Sequence, residues 1–127
     1  MATTFYKQVY KIVQSIPKGK ISSYGRIAHM LGRPRAARAV GYALSALKDS
    51  KSDAPYTSAT VPWQRVVNSQ GRISIRHREA TANRQAEFLR NEGVIVSDDL
   101  RINLDVYLWE GLHLLEIDDI LQEGDNG

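Results

Sequence analysis

The sequence predicts a mainly α-helical single domain of the helix-turn-helix or winged-helix type, with a small β-hairpin as the wing. Three observations lead there. Two short amphipathic segments near the N-terminus are followed at once by an Arg/Ala-patterned third helix. A Val-Val pair, an Asn-Ser-Gln-Gly turn and alternating isoleucines then read as a hairpin. The length of 127 residues fits one domain.

The elements follow in order. Thr3 or Thr4 can cap a first helix running to about Ile16. Its stripe of Phe5, Val9, Ile12, Val13 and Ile16 has helical spacing, and Pro17 and Gly19 end it. A second helix is expected over Tyr24 to Leu31, with Ser22 or Ser23 as N-cap and Gly32 as its stop. Arg33-Pro34 is expected to open a third helix that reaches Lys48, since proline suits a first helical turn. Ala37, Val40, Leu44 and Leu47 share one face of it. Arg35, Arg38, Tyr42 and Ser45 share another, and a ridge of Ala36, Ala39, Ala43 and Ala46 runs between them. Such a helix can rest on a core and approach a second surface closely. Solvated arginines on a good helix former would show the same pattern.

Residues 49–60 read as a polar loop containing Pro55. Val66-Val67 and the alternating Ile73 and Ile75 are expected to pair across Asn68-Ser69-Gln70-Gly71. A fourth helix is expected from Ala82 to Glu92, with Gly93 as C-cap. Extended pieces at 94–96 and 100–104 follow. Leu114, Ile117, Ile120 and Leu121 then line a last acidic helix, before a frayed end at 124–127. The expected division is a domain over 1–110 and an acidic extension over 111–127.

Charge is distributed unevenly. Residues 1–50 carry +8, residues 51–100 carry +1 and residues 101–127 carry −6. A basic front half fits a polyanion such as nucleic acid, and on charge alone it fits a merely solvated surface equally well. The acidic end suits a solvated tail, a brake on non-specific binding or a partner surface. The chain has no cysteine, which removes thiol nucleophiles, Cys-based metal sites and redox switching. His29, His77 and His113 do not pair at a zinc-motif spacing, so no metal or cofactor is expected. No apolar run approaches the roughly 18 residues that span a bilayer. The N-terminus lacks a secretory pattern, so an intracellular protein without membrane association is expected.

Four pieces in order narrow the reading. They are Lys20-Ile21-Ser22-Ser23-Tyr24-Gly25-Arg26-Ile27-Ala28, Ala36-Ala37-Arg38-Ala39-Val40-Gly41, Val61-Pro62-Trp63-Gln64-Arg65-Val66-Val67-Asn68-Ser69-Gln70-Gly71, and Asn91-Glu92-Gly93. Over about residues 4–109 the chain resembles the C-terminal DNA-binding domain of O6-alkylguanine-DNA alkyltransferases. In those enzymes the third piece reads Pro-Cys-His-Arg, and its cysteine accepts the alkyl group. Here Trp63 stands at the cysteine position and Gln64 at the histidine position. That replacement marks the alkyltransferase-like proteins, which bind alkylated guanine without repairing it. Chemistry agrees, because alkyl transfer needs a soft, activated nucleophile and an indole has no available lone pair.

The resemblance implies roles residue by residue. Arg38 is the finger that enters the base stack in place of an extruded guanine; on its own it would more commonly be a phosphate contact. Tyr24 presses on the phosphate beside the target nucleotide, where an aromatic of the core with a wet hydroxyl is the plainer alternative. Arg35, Ala36, Ala37, Ala39, Tyr42 and Ser45 form the surface that meets the minor groove. Trp63, Arg76, Tyr24, Pro55, Ser74 and Val61 line the lesion pocket, with Arg76 covering the base. Gln64, Arg65 and Asn68 are scaffold, and Glu92 belongs to the hydrogen-bond network behind the enzymes' cysteine.

The implied protein is a monomeric, non-enzymatic sensor of O6-alkylguanine in double-stranded DNA. It flips the base and passes the lesion to nucleotide excision repair proteins. The implied compartment is nuclear in a eukaryotic host and cytoplasmic otherwise. A sequence-reading winged-helix regulator is the alternative, but its recognition helix would present Asn, Gln or Arg to base edges rather than alanines. A metal-dependent nuclease needs clustered carboxylates, and the basic half holds only Asp49.

Overall fold

The apolar stripe of the first segment folds as α1 (Thr4–Gln14), with Val9, Ile12 and Val13 fully buried. The last turn tightens where Ser15 and Ile16 donate to the Ile12 and Val13 carbonyls, so the regular helix stops two residues short of Ile16. Our computed structural model of the chain describes residues 4–73 and 79–126. The chain continues through β1 (Ser22–Ser23) into α2 (Tyr24–Met30). Ser23 is extended, and its hydroxyl accepts from the Arg26 N–H at 3.2 Å, as an N-cap should. Gly32 is left-handed at φ 73°, and the Arg33 N–H bonds back to the Ala28 carbonyl, which ends α2 where expected.

The third helix, α3 (Ala37–Ser45), is shorter than the sequence suggests. Pro34 opens a turn rather than a helix: the Ala36 N–H donates to the Arg33 carbonyl at 2.9 Å, and helical bonding begins only with Val40 to Ala36. At the other end the chain leaves the helix so that Lys48 bridges to Thr57 and accepts from Ser58. Ala43 does not join an open ridge. It is fully buried, and its carbonyl accepts from the Tyr10 hydroxyl at 2.6 Å.

Among the described residues the expected Val66-Val67 to Ile73 pairing does not form. The 3-10 turn Trp63–Arg65 leads into β2 (Val66–Val67), which pairs in parallel with β1, Ser22 opposite Val66 and Ser23 opposite Val67. The turn at 68–71 is present: Asn68 N–H donates to the Arg72 carbonyl, and the Asn68 side-chain oxygen accepts from the Gln70 and Arg72 N–H groups. The returning chain pairs elsewhere. Arg72 bridges antiparallel to Arg101, and the Ile73 N–H donates to the Leu100 carbonyl. Ile75 lies outside the described residues. Alternation shows that a residue sits in a sheet, not which strand lies beside it, and here a distant segment outcompetes the near one.

Gly71 makes that crossing possible. It is left-handed at φ 78°, and a Cβ there would lie 2.5 Å from the Ile102 carbonyl oxygen. Gly71→Ala is therefore expected to cost about 2 kcal/mol from backbone strain and displacement of the 100–102 segment. Urea unfolding followed by circular dichroism measures it, and an unchanged midpoint would contradict this account.

The helix α4 (Glu79–Asn91) begins earlier than expected and ends at Gly93, left-handed at φ 92°. The segments at 94–96 and 100–103 form no strands, and α5 (Leu104–Tyr107) follows with Asn103 as N-cap. In α6 (Leu114–Asn126) Ile117 is buried, and Ile120 and Leu121 pack on the core beside α1. Leu114 is 83% exposed because it opens the helix, ahead of the residues that meet the core. The helix runs on to Asn126, past the point at 124 where fraying was expected.

Two apolar clusters share the β1–β2 ladder. Val66 faces the cluster of α1, α2, α3 and Trp109, while Val67 faces the cluster of Ile21, Ile73, Leu89, Val94 and Ile102. Successive strand residues point to opposite sides, so one two-residue strand joins the helical half to the α4 half.

Candidate nucleic-acid interface

β1 runs directly into Tyr24 and β2 runs directly out of the turn that carries Trp63, so one ladder ties both residues to a common frame. Tyr24 opens α2 and packs half-buried against the helical cluster. Its ring meets α3 at Gly41, where a Cβ would stand 4.0 Å from two ring carbons. Burial raises the phenol above its ordinary value and keeps it a neutral hydrogen-bond donor. Among the described residues its hydroxyl has no hydrogen-bond partner.

Arg38, Tyr42 and Ser45 are all exposed on α3, at the spacing that forms one stripe. Tyr42 is 59% exposed, a large aromatic side chain turned to solvent. Ala36, Ala37 and Ala39 are half-buried beside the stripe and leave its flank low. Arg35 is exposed but sits in the turn before α3, not on the helical face where the sequence placed it. No side chain caps α3, since Ala36 holds the N-cap position. Its first-turn N–H groups are therefore without the side-chain acceptor that often satisfies them.

Trp63 opens the 3-10 turn, half-buried, with its ring edge-on to Phe88 of α4 at a centroid distance of 6.0 Å and 74° between planes. The turn is gripped from behind by α4. Gln85 is 2% exposed and donates to the Gln64 and Val66 carbonyls, both at 3.0 Å. Glu92, just past the helix end, accepts from Gln64 Nε2 at 2.9 Å, Arg65 Nε at 2.9 Å and the Gly19 N–H at 3.0 Å. Arg65 Nη1 also donates to the Ile16 carbonyl at 2.8 Å. Burial by itself would raise the Glu92 carboxyl, but the Arg65, Gly19 and Gln64 donors outweigh it and hold the group below its ordinary value. The scaffold roles expected for Gln64, Arg65 and Asn68 are those observed.

A cleft of about 460 Å³ lies on the Gln64 side of the turn, lined by Pro62, Gln64, Phe88 and Glu92 among others. Val61 is a correction. It is fully buried in the helical cluster and presents no side-chain surface to a ligand. Pro55 is exposed on its loop, next to Tyr56, whose ring packs 5.2 Å from Tyr10. Arg76 and Ser74 lie outside the described residues. Among the described residues no group of His, Asp and Glu could hold a metal ion, and no helix is long and apolar enough to cross a membrane.

Sequence reasoning missed Gln85, Phe88 and Gly41. The first two stand seven and four residues before Glu92, a helical stripe that was legible once Glu92 had been singled out. Gly41 carries no such signal, because only the packed structure shows Tyr24 lying over it.

Comparison with known proteins agrees with this geometry. The model of the 6-O-methylguanine DNA methyltransferase DNA-binding domain matches residues 4–94. A DNA base-flipping protein of Vibrio parahaemolyticus is 42% identical over 106 residues, 84% of this chain and 96% of that protein. Alkyltransferase-like protein 1 of Schizosaccharomyces pombe is 40% identical over 84% of this chain and 94% of its own length. Among solved structures, S. pombe Atl1 in complex with damaged DNA containing O6-carboxymethylguanine superposes with a TM-score of 0.73. It is 39% identical, over 87% of this chain and 99% of that one. Mycobacterium tuberculosis OGT in complex with DNA gives 0.58 at 32% identity, over 72% of this chain and 51% of that one. With Trp63 in a chain that has no cysteine, on the fold of the methyltransferases' DNA-binding domain, the chain belongs to the alkyltransferase-like family.

Proposed function

We propose that this protein is a non-enzymatic sensor of O6-alkylguanine in duplex DNA. The observation that carries the reading is Trp63 at the nucleophile position of a cysteine-free chain that keeps the α2–α3 unit and its exposed Arg38. The exposed stripe of Arg38, Tyr42 and Ser45, with Arg35 beside it, approaches DNA from the minor groove. The low alanine flank of Ala36, Ala37 and Ala39 allows close contact. Minor-groove entry reads little sequence, which suits a protein that must inspect every guanine. Arg38 fills the emptied stack, Tyr24 presses on the adjacent phosphate, and the base enters a pocket walled by Trp63 and covered by Arg76. The bound lesion then serves as the signal that recruits nucleotide excision repair.

The test is a titration of paired duplexes with and without one O6-methylguanine, at fixed salt, followed by nucleoside mass spectrometry. Tighter binding to the modified duplex with the methyl group fully retained is expected. Methyl loss in proportion to added protein, or equal affinity for both duplexes, overturns the proposal.

A further inference from the structure

We infer that Phe88 is a positioning residue for lesion discrimination and acts through Trp63; the inference rests on the reading that Trp63 walls the lesion pocket. Trp63 begins a helix of only three residues, and its N-cap, Pro62, offers no side-chain bond. The turn is well held, because Gln85 bonds to the backbone carbonyls of Gln64 and Val66 and Glu92 binds the side chains of Gln64 and Arg65. The ring is not held by those bonds. Among the described residues the indole N–H has no hydrogen-bond partner, and the ring's one aromatic contact is Phe88.

That contact has directional content. An edge-on pair sets the positive rim of one ring against the negative face of the other, so it fixes tilt as well as distance. Phe88 is itself contacted by the Arg84 guanidinium, four residues earlier on α4, which lies over its ring 5.5 Å from the centroid. Phe88 also lines the 460 Å³ cleft beside the turn. It therefore touches both the indole and the cleft, and shortening it would give the indole room to tilt.

The consequence is selective. An alkyl group on guanine gains from an apolar wall at a fixed place, whereas an unmodified guanine has nothing to place there. Phe88 should thus govern the ratio of affinities for lesion and control duplexes rather than affinity for DNA. Gln85, Phe88 and Glu92 then form one working stripe: Gln85 holds the backbone of the turn, Glu92 holds its Gln64 and Arg65 side chains, and Phe88 aims the Trp63 ring.

The experiment is a double-mutant cycle on that ratio, using Phe88→Leu, Trp63→Ala and the pair, with O6-methylguanine and guanine duplexes at one salt concentration. Phe88→Leu keeps the volume needed for folding, checked by circular dichroism. It is expected to reduce discrimination about fivefold with unchanged affinity for the control duplex. In the Trp63→Ala background the same change should have no further effect, and Phe88→Tyr should retain wild-type discrimination. If Trp63→Ala lowers discrimination but Phe88→Leu does not, the inference fails and the pocket reading stands. Equal losses from Phe88→Leu in both backgrounds also overturn it, since they mark general packing. If Trp63→Ala leaves discrimination intact, the pocket reading itself fails and the inference falls with it.

Discussion

Glu92→Ala is expected to lower the unfolding free energy by about 3 kcal/mol, measured by urea denaturation. One carboxylate satisfies donors from three separate segments: the Gly19 N–H, the Gln64 amide and the Arg65 guanidinium. Its side chain is 8% exposed and that of Arg65 17%, so truncation leaves the Arg65 Nε, the Gln64 amide and the Gly19 N–H poorly hydrated and without their acceptor, with Arg65 keeping only its bond to the Ile16 carbonyl. Breaking a fully buried pair costs about 3–5 kcal/mol, and the residual exposure of Arg65 places this one at the lower end. The same site gives an acid signature. The folded carboxyl titrates below its ordinary value of 4.5, so in acid the unfolded chain takes up the proton first. The stabilisation is full above that value and is lost as pH falls through the lower folded value. Glu92→Gln should flatten this part of the stability profile, and an unchanged profile would show that the carboxylate does not stabilise the fold.

The helical half was largely legible because its signals are local. Ser23, Gly32 and Gly93 act within a few residues of the helix ends they define, and each does so in the structure. Pro34 shows the limit. A proline suits both a first helical turn and the second position of a β-turn, and the choice fell to the Ala36 to Arg33 bond. The wing failed for a different reason. Val66 and Val67 belong to a strand, but their partner is Ser22-Ser23, more than forty residues away and of little strand propensity. No periodicity carries that information.

At the candidate site, the resemblance supplied residues that physics alone would have left among plainer alternatives. Arg38 is an exposed arginine on a helix, and Tyr24 is a half-buried tyrosine. What the structure adds is how they are mounted: Tyr24 against Gly41, Trp63 against Phe88, and the intervening turn held by Gln85 and Glu92. Val61 was misplaced because a residue beside a pocket motif in sequence need not face the pocket, and here it is fully buried.

Arg38→Ala is expected to abolish base extrusion and to weaken lesion and control duplexes alike. Extruding a base costs a few kcal/mol of stacking and pairing, and a planar guanidinium in the gap recovers part of it. Losing about 2 kcal/mol of that recovery weakens binding about thirtyfold. A 2-aminopurine beside the lesion reports the opened stack: its fluorescence should rise with the wild type and stay low with Arg38→Ala. Arg38→Lys separates the two roles open to an exposed arginine on this stripe. A phosphate contact needs only a positive charge, so lysine would restore affinity and salt dependence. A stack-filling role needs the flat, multiply donating head, so lysine should recover the salt slope but not the fluorescence change. Full recovery of both by Arg38→Lys would reduce Arg38 to a surface charge and move the extruding role to Tyr24.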